Sequence, residues 1–141
     1  MKGWQLTEIK NVQETTINEP FDNLTSSKVK ITKALINSHD ILRYTGEIQA
    51  ENIVLGSYGI GVISEPGVNL FDLNKGSRVY INPKKYCENC YNCKSNNHAI
   101  CSNLQIACED YNGFLRDFVT AKNSDLHYLP DFISDDDALF I

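Results

Sequence analysis

The chain has 141 residues, 42% of them hydrophobic and 22% charged, with a net charge of −5. Such a composition fits one globular domain and excludes a disordered or collagen-like chain. The acidic balance argues against a nucleic-acid partner, which requires a basic face. No apolar run approaches the ~20 residues that cross a bilayer.

The N-terminal stretch Met1 to Glu8 has no apolar h-region and no small-residue cleavage site. No signal peptide is expected, and the default compartment is the cytoplasm. Lys28-Val29-Lys30-Ile31-Thr32 alternates polar and apolar residues, as a half-buried strand does, and runs on into Ala34-Leu35-Ile36. Asn37 or Ser38 caps a short helix through Ile41, Leu42 and Tyr44 that Gly46 ends. Ile53-Val54-Leu55 and Ile60-Gly61-Val62-Ile63 read as buried strands broken by Gly56 and Gly59. Pro66-Gly67 is a turn. Arg78 to Ile81 is a further strand, stopped by Pro83. Gly113 opens a strand over Phe114 to Ala121, and Leu129-Pro130-Asp131 is a turn.

At the C-terminal end Ser134 is a good N-cap, and Asp137 three residues on completes a capping-box pattern. The apolar stripe then begins with Ala138, Leu139, Phe140 and Ile141, where the chain stops. A helix that short is marginal by itself. It either docks on the core or belongs to a longer parent, and the second is the expectation.

Of five cysteines, four lie between Cys87 and Cys101, spaced Cys87-x2-Cys90-x2-Cys93-x7-Cys101. Four thiolates at this spacing can surround one tetrahedral Zn²⁺ at ~2.3 Å per bond. The intervening residues are polar turn formers with no core to offer, so the metal must hold the loop. Four ligands leave no open position, which makes the site structural. Lys84, Lys85 and Lys94 partly offset its negative charge. An iron–sulfur cluster and a disulfide framework are the rivals. The ferredoxin run needs C-x3-C-P next, whereas Ser102 follows Cys101 here. Disulfides are normally spread to close long loops. His98, inside the loop, is an alternative ligand but reads as a solvated loop residue. Cys108 reads as a small buried thiol, and His127, near a strand end, as structural.

With these residues in view, the chain resembles the N-terminal, GroES-like domain of medium-chain, zinc-containing alcohol dehydrogenases. The cysteine cluster matches that family's structural-zinc lobe in spacing and position. Gly56-x-x-x-x-Gly61-Val62 matches its Gly-His-Glu-x-x-Gly-Val segment. Lys75-Gly76-Ser77-Arg78-Val79 is similar to its Gly-Asp-Arg-Val turn, and Asn112-Gly113-Phe114 to its Gly-Gly-Phe. The resemblance covers nearly all of 1–141 and implies a mostly β fold. That fold is a partly open, GroES-like β-barrel with short helices and a structural-zinc loop at 84–104.

The departures from the family pattern are informative. Zinc-catalytic members carry a ligand cysteine where this chain has Asn37, and His-Glu where it has Ser57-Tyr58. Asn, Ser and Tyr are poor Zn²⁺ ligands beside Cys and His. Asn37-x-x-Asp40, with Arg43 and Gly46, is more like the quinone oxidoreductase branch, which lacks catalytic zinc. His39 stands where the zinc enzymes carry a Ser or Thr that relays the alcohol proton. A histidine there can act as general acid or base near neutral pH. The resemblance thus implies catalytic roles for His39, Tyr58, Asn37 and Ser57. The alternative is that His39 and Tyr58 only fill the vacated metal site, bonded to each other or to backbone.

No Gly-x-Gly-x-x-Gly lies between a strand and a helix, so a nucleotide-binding domain is absent from this stretch. NAD(P) is expected only in a full-length parent, and this chain alone is expected to be inactive. The implied function is the substrate-side domain of an NAD(P)-dependent alcohol dehydrogenase-like oxidoreductase, with one structural Zn²⁺ and the catalytic-zinc ligands lost. Its partner would be a small-molecule alcohol or carbonyl substrate, with no nucleic acid and no membrane. Homo-oligomerisation is left open. A non-enzymatic zinc-stabilised binding module, or a relic domain, is the competing function.

Overall fold

A computed structural model describes residues 1–68 and 72–140. Among the described residues ten strands and three short α-helices follow one another in the order β1 Lys2–Glu8, β2 Asn11–Thr16, β3 Ser26–Leu35, α1 Ser38–Thr45, β4 Ile53–Val54, β5 Tyr58–Glu65, β6 Arg78–Ile81, β7 Lys84–Lys85, α2 Tyr91–Lys94, β8 Gln105–Ile106, β9 Phe118–Lys122, β10 Leu126–Tyr128 and α3 Asp135–Ala138. The strands form an antiparallel five-stranded sheet, β10-β6-β5-β3-β9, a three-stranded sheet, β2-β1-β4, and a two-stranded ribbon, β7-β8. The larger sheet curls into a half-barrel. This is the mostly β, partly open barrel that the sequence implies.

β3 is the longest strand and the centre of the half-barrel, paired with β5 on one side and β9 on the other. The inward row of these strands, with Val79, Ile81 and Leu126, packs around Phe114. Gly59 does not break a strand, as expected above, but lies inside β5 opposite Ala34. A Cβ at Gly59 would sit 2.6 Å from the Phe114 ring. A strand there needs a residue without a side chain, because the core's largest ring occupies that space.

The strand expected from Phe114 begins only at Phe118. The backbone N–H groups of Gly113, Phe114 and Leu115 are donated to the carbonyls of Val54, Gly56 and Leu55. With those groups spent on the segment after β4, the stretch cannot extend β9. The N-terminal hairpin β1–β2, which periodicity did not reveal, turns through Ile9-Lys10, with Lys10 at φ 61. It buries Leu6 fully.

α3 docks as a single short helix, with Ala138 packed beside Ile60 and Leu129. Only half of the expected capping box forms. Asp137 N–H donates to Ser134 Oγ at 3.1 Å, but the Asp137 carboxyl accepts the Ser134 hydroxyl at 2.6 Å rather than the capping backbone N–H. Arg78 holds the helix to the sheet through Asp135 at 2.5 Å. Among the described residues no helix is long and apolar enough to cross a membrane.

Candidate functional site

The four clustered cysteines converge beyond the β7–β8 ribbon. Their sulfurs all lie within 4.8 Å of one another. Cys87 Sγ is 3.5 Å from Cys101 Sγ and 3.9 Å from Cys93 Sγ. A tetrahedron with ~2.3 Å metal–sulfur bonds has edges of about 3.8 Å, so the cluster has the size that zinc requires. Tight turns at Glu88 (φ 60) and Asn96 (φ 59) bring the sulfurs round.

Backbone N–H groups point at the sulfurs. Cys90 N–H donates to Cys87 Sγ, Cys93 N–H to Cys90 Sγ and Cys87 N–H to Cys101 Sγ, each at 3.4 Å. Such donors favour thiolate. Backbone N–H groups, that of Ser102 foremost, hold Cys90 down to about 6. Burial, with the neighbouring sulfurs, pushes Cys93 up to about 12. Crowded sulfurs of this kind cannot all ionise together unless a cation joins them. The Cys87–Cys101 and Cys87–Cys93 sulfur separations of 3.5 and 3.9 Å are those of neighbouring thiols, wider than the ~2.05 Å of a disulfide.

Two expectations about this lobe change. His98 is half-buried and lies against Tyr86 with ring centroids 5.0 Å apart, and its buried Nδ1 has no hydrogen-bond partner among the described residues. It is therefore not a solvated loop residue. Lys85 is directed at Tyr111, its ammonium 3.8 Å from the ring centroid, and burial lowers its pKa. That cation–π contact, rather than the sulfur cluster, takes up its charge.

The second site lies at the start of α1. Asn37, not Ser38, is the N-cap: its Oδ1 accepts the N–H groups of His39 at 2.9 Å and Asp40 at 3.2 Å. Asp40 answers by accepting Asn37 N–H at 2.9 Å, completing a capping box. Asp40 is fully buried. Its Oδ2 also accepts the Ser57 hydroxyl at 2.8 Å, while Oδ1 accepts Gly56 N–H at 3.1 Å and the Cys108 thiol at 2.6 Å. Gly56 reaches it at φ +97, a left-handed backbone that glycine adopts without strain. Cys108 is the buried thiol expected; burial, then the adjacent Asp40, raises its pKa strongly.

Above this floor opens a cleft of about 220 Å³ lined by Asn37, His39, Arg43, Ser57 and Tyr58 from α1 and β5 with their approaches, and by Pro83, Lys84, Ile106, Ala107 and Glu109 from the β7–β8 ribbon and its flanks. All four residues singled out for catalysis thus share one cavity, but they divide into two kinds. The Asn37 oxygen and the Ser57 hydroxyl are committed to the cap and to Asp40. Among the described residues the His39 imidazole and the Tyr58 hydroxyl make no hydrogen bond, to each other or to backbone, and His39 is exposed. Periodicity and spacing gave no site role to Asp40, Arg43 or Glu109. The capping-box pairing of Asn37 with Asp40 was the available signal for the first. Arg43 is 5% exposed and pairs with Glu109 at 3.4 Å across 66 residues of sequence, which no local pattern announces.

The alcohol dehydrogenase GroES-like domain family matches residues 25–131. The D-arabitol-phosphate dehydrogenase of Enterococcus avium is 28% identical over 109 residues, covering 75% of this chain and 31% of that enzyme. Galactitol-1-phosphate dehydrogenase from Escherichia coli superposes with a TM-score of 0.87 at 20% identity, over 99% of this chain and 41% of that one. An alcohol dehydrogenase from a Thermus species superposes with a TM-score of 0.85 at 21% identity, over 99% and 43%. The fold is the GroES-like one, and the chain spans 31% of the curated relative and 41–43% of these solved structures.

Proposed function

From the chain's membership of the alcohol dehydrogenase GroES-like domain family, we propose that it is the N-terminal, substrate-side domain of a cytoplasmic, NAD(P)-dependent oxidoreductase acting on a small alcohol or carbonyl compound. Its one zinc is structural, held by Cys87, Cys90, Cys93 and Cys101 in the lobe at 84–104. The nicotinamide, bound outside this domain, supplies the hydride acceptor or donor.

The observation that carries this reading is the division of labour in the cleft. The Asn37 oxygen is spent on the helix cap, and the Ser57 hydroxyl, held by its hydrogen to Asp40, is a poor Zn²⁺ ligand beside Cys and His. The His39 imidazole and the Tyr58 hydroxyl stay uncommitted among the described residues. A substrate oxygen that gains negative charge is then stabilised by hydrogen-bond donors in place of a second metal. Tyr58 Oη donates to that oxygen. His39 gives or takes the proton as the oxygen changes between alcohol and carbonyl. Asn37, Ser57 and Asp40 position the wall from which both project.

The experiment is turnover in the full-length parent. Tyr58→Phe and His39→Ala are each expected to cut turnover on the order of 10²-fold while leaving the unfolding midpoint nearly unchanged. Unchanged kinetics in both would return His39 and Tyr58 to side chains that fill the vacated site, and a parent without turnover would favour a non-enzymatic zinc-stabilised module. A second zinc bound through His39 would overturn it from the other side.

A further inference from the structure

We infer that the cleft recognises its ligand by an anionic group, a phosphate monoester, seated against Arg43 and Lys84, and that Glu109 is the carboxylate this group displaces. The inference rests on the substrate-side reading only for the claim that the bound molecule is a substrate. Anion binding itself stands on the geometry.

Arg43 is the main reason. It lies in the last turn of α1, 5% exposed, and lines the cleft. A guanidinium carries five N–H donors, and burying one is costly unless it is paired and hydrogen-bonded. Among the described residues it makes no hydrogen bond. Its ion pair is with Glu109 Oε2 at 3.4 Å, well beyond the ~2.7–2.9 Å of a strong charge-assisted contact. The buried carboxylate of Asp40, three residues earlier on α1, is already occupied by Gly56, Cys108, Ser57 and Asn37. Arg43 is therefore a guanidinium on a largely buried side chain whose nitrogens still reach the cavity, with one long ion pair among the described residues.

The rest of the wall points the same way. The charged and titratable side chains lining the cleft are Arg43 and Lys84, both cationic, His39, Tyr58 and the carboxylate of Glu109. The lining itself carries two cations to one carboxylate, over a floor whose Asp40 carboxylate already accepts four donors. Glu109 is 53% exposed and sits on the loop after β8, so it can turn to solvent at little cost. A phosphate monoester offers more charge than one carboxylate and three oxygens in place of two. Its geometry matches the planar guanidinium in two parallel contacts. Lys84 adds a point charge from the β7–β8 ribbon.

The test is a titration of the zinc-loaded 141-residue chain with inorganic phosphate, at constant ionic strength set with chloride, followed by backbone amide shifts. Saturable shifts should cluster at Arg43, Ser57, Lys84 and Glu109. Glu109→Gln should tighten phosphate binding and Lys84→Gln should weaken it, each by about two- to fivefold, the effect of one partly exposed charge. Arg43→Lys should weaken it further, since the fork is lost. Both single-charge variants alter exposed side chains, so the fold is retained. Non-saturating shifts, shifts spread over distant lysines, or a Glu109→Gln variant that binds no better than the parent sequence would overturn the inference. Equal affinity for acetate would overturn the choice of phosphate. Parent turnover separates the two readings: an active parent whose domain ignores phosphate refutes only the anion site. Phosphate binding beside an inactive parent refutes only the dehydrogenase reading.

Discussion

Replacing Asp40 by Asn alters almost nothing in shape and reverses the hydrogen-bonding sense of one carboxylate oxygen. That carboxylate accepts four donors, two on each oxygen: Gly56 N–H and the Cys108 thiol on Oδ1, Asn37 N–H and the Ser57 hydroxyl on Oδ2. The asparagine NH₂ must face one pair or the other. A hydroxyl or thiol can rotate and accept, but a backbone N–H cannot. Either Gly56 or Asn37 is left with its N–H pointing at another donor, in a site with no solvent access. An unsatisfied buried group costs about 1–3 kcal/mol, and the surviving contacts fall from charged to neutral strength, a further loss of about 1 kcal/mol. The expected destabilisation is about 3 kcal/mol, or roughly 10 °C in Tm for a domain of this size. Urea unfolding of the zinc-loaded chain measures it, with the midpoint lowered and the slope unchanged. Ser57→Ala, which removes one donor and leaves an acceptor, should cost about 1 kcal/mol. A loss below about 1 kcal/mol for Asp40→Asn would refute the view that this carboxylate holds the cleft floor together.

The cysteine lobe should bind one Zn²⁺ per chain by elemental analysis; two, or none with paired disulfides in a reduced preparation, would contradict the assignment. Cys87→Ser should remove amide-exchange protection from 86–104 while the barrel strands keep theirs, because the core residues lie elsewhere. Calorimetry of this chain with NAD or NADP should give no measurable heat of binding, and micromolar affinity would refute the expectation that cofactor binding lies outside it. Alkaline pH should weaken the fold. Burial raises the Cys108 thiol above its ordinary 9.0, and burial likewise raises Tyr111 above 10.0. In each case the unfolded chain ionises first, so the contribution is whole below that ordinary value and shrinks as pH climbs past it. The urea midpoint should fall steadily above pH ~9, and a midpoint flat from there to strongly alkaline pH would contradict this.

What could be read in advance depended on how local its cause was. The alternation around Val29, the cap at Asn37, the stop at Pro83 and the spacing of four cysteines each lie within a few residues of what they determine. The β1–β2 hairpin escaped because its hydrophobic signal is inverted: Trp4 is 48% exposed while Gly3 faces inward. Gly59 suggested a break because glycine is rare in strands, and only the Phe114 ring, 55 residues on, explains it. The same ring's neighbours look strand-forming, yet their N–H groups go to the segment after β4. Arg43 is the extreme case. Arginine is mostly exposed, and its burial follows from the loop carrying Glu109, whose return to α1 is a property of the whole barrel.

The β7–β8 ribbon joins two places that are otherwise separate. Lys84 and Ile106 pair across it and both line the cleft, while Cys87 follows two residues after β7 ends. A ligand that orders the sulfur lobe also restrains the base of that ribbon, and with it one wall of the cavity. Thermodynamic linkage then runs both ways: whatever free energy zinc contributes to closing the wall, a molecule bound in the cleft returns to the metal as tighter affinity.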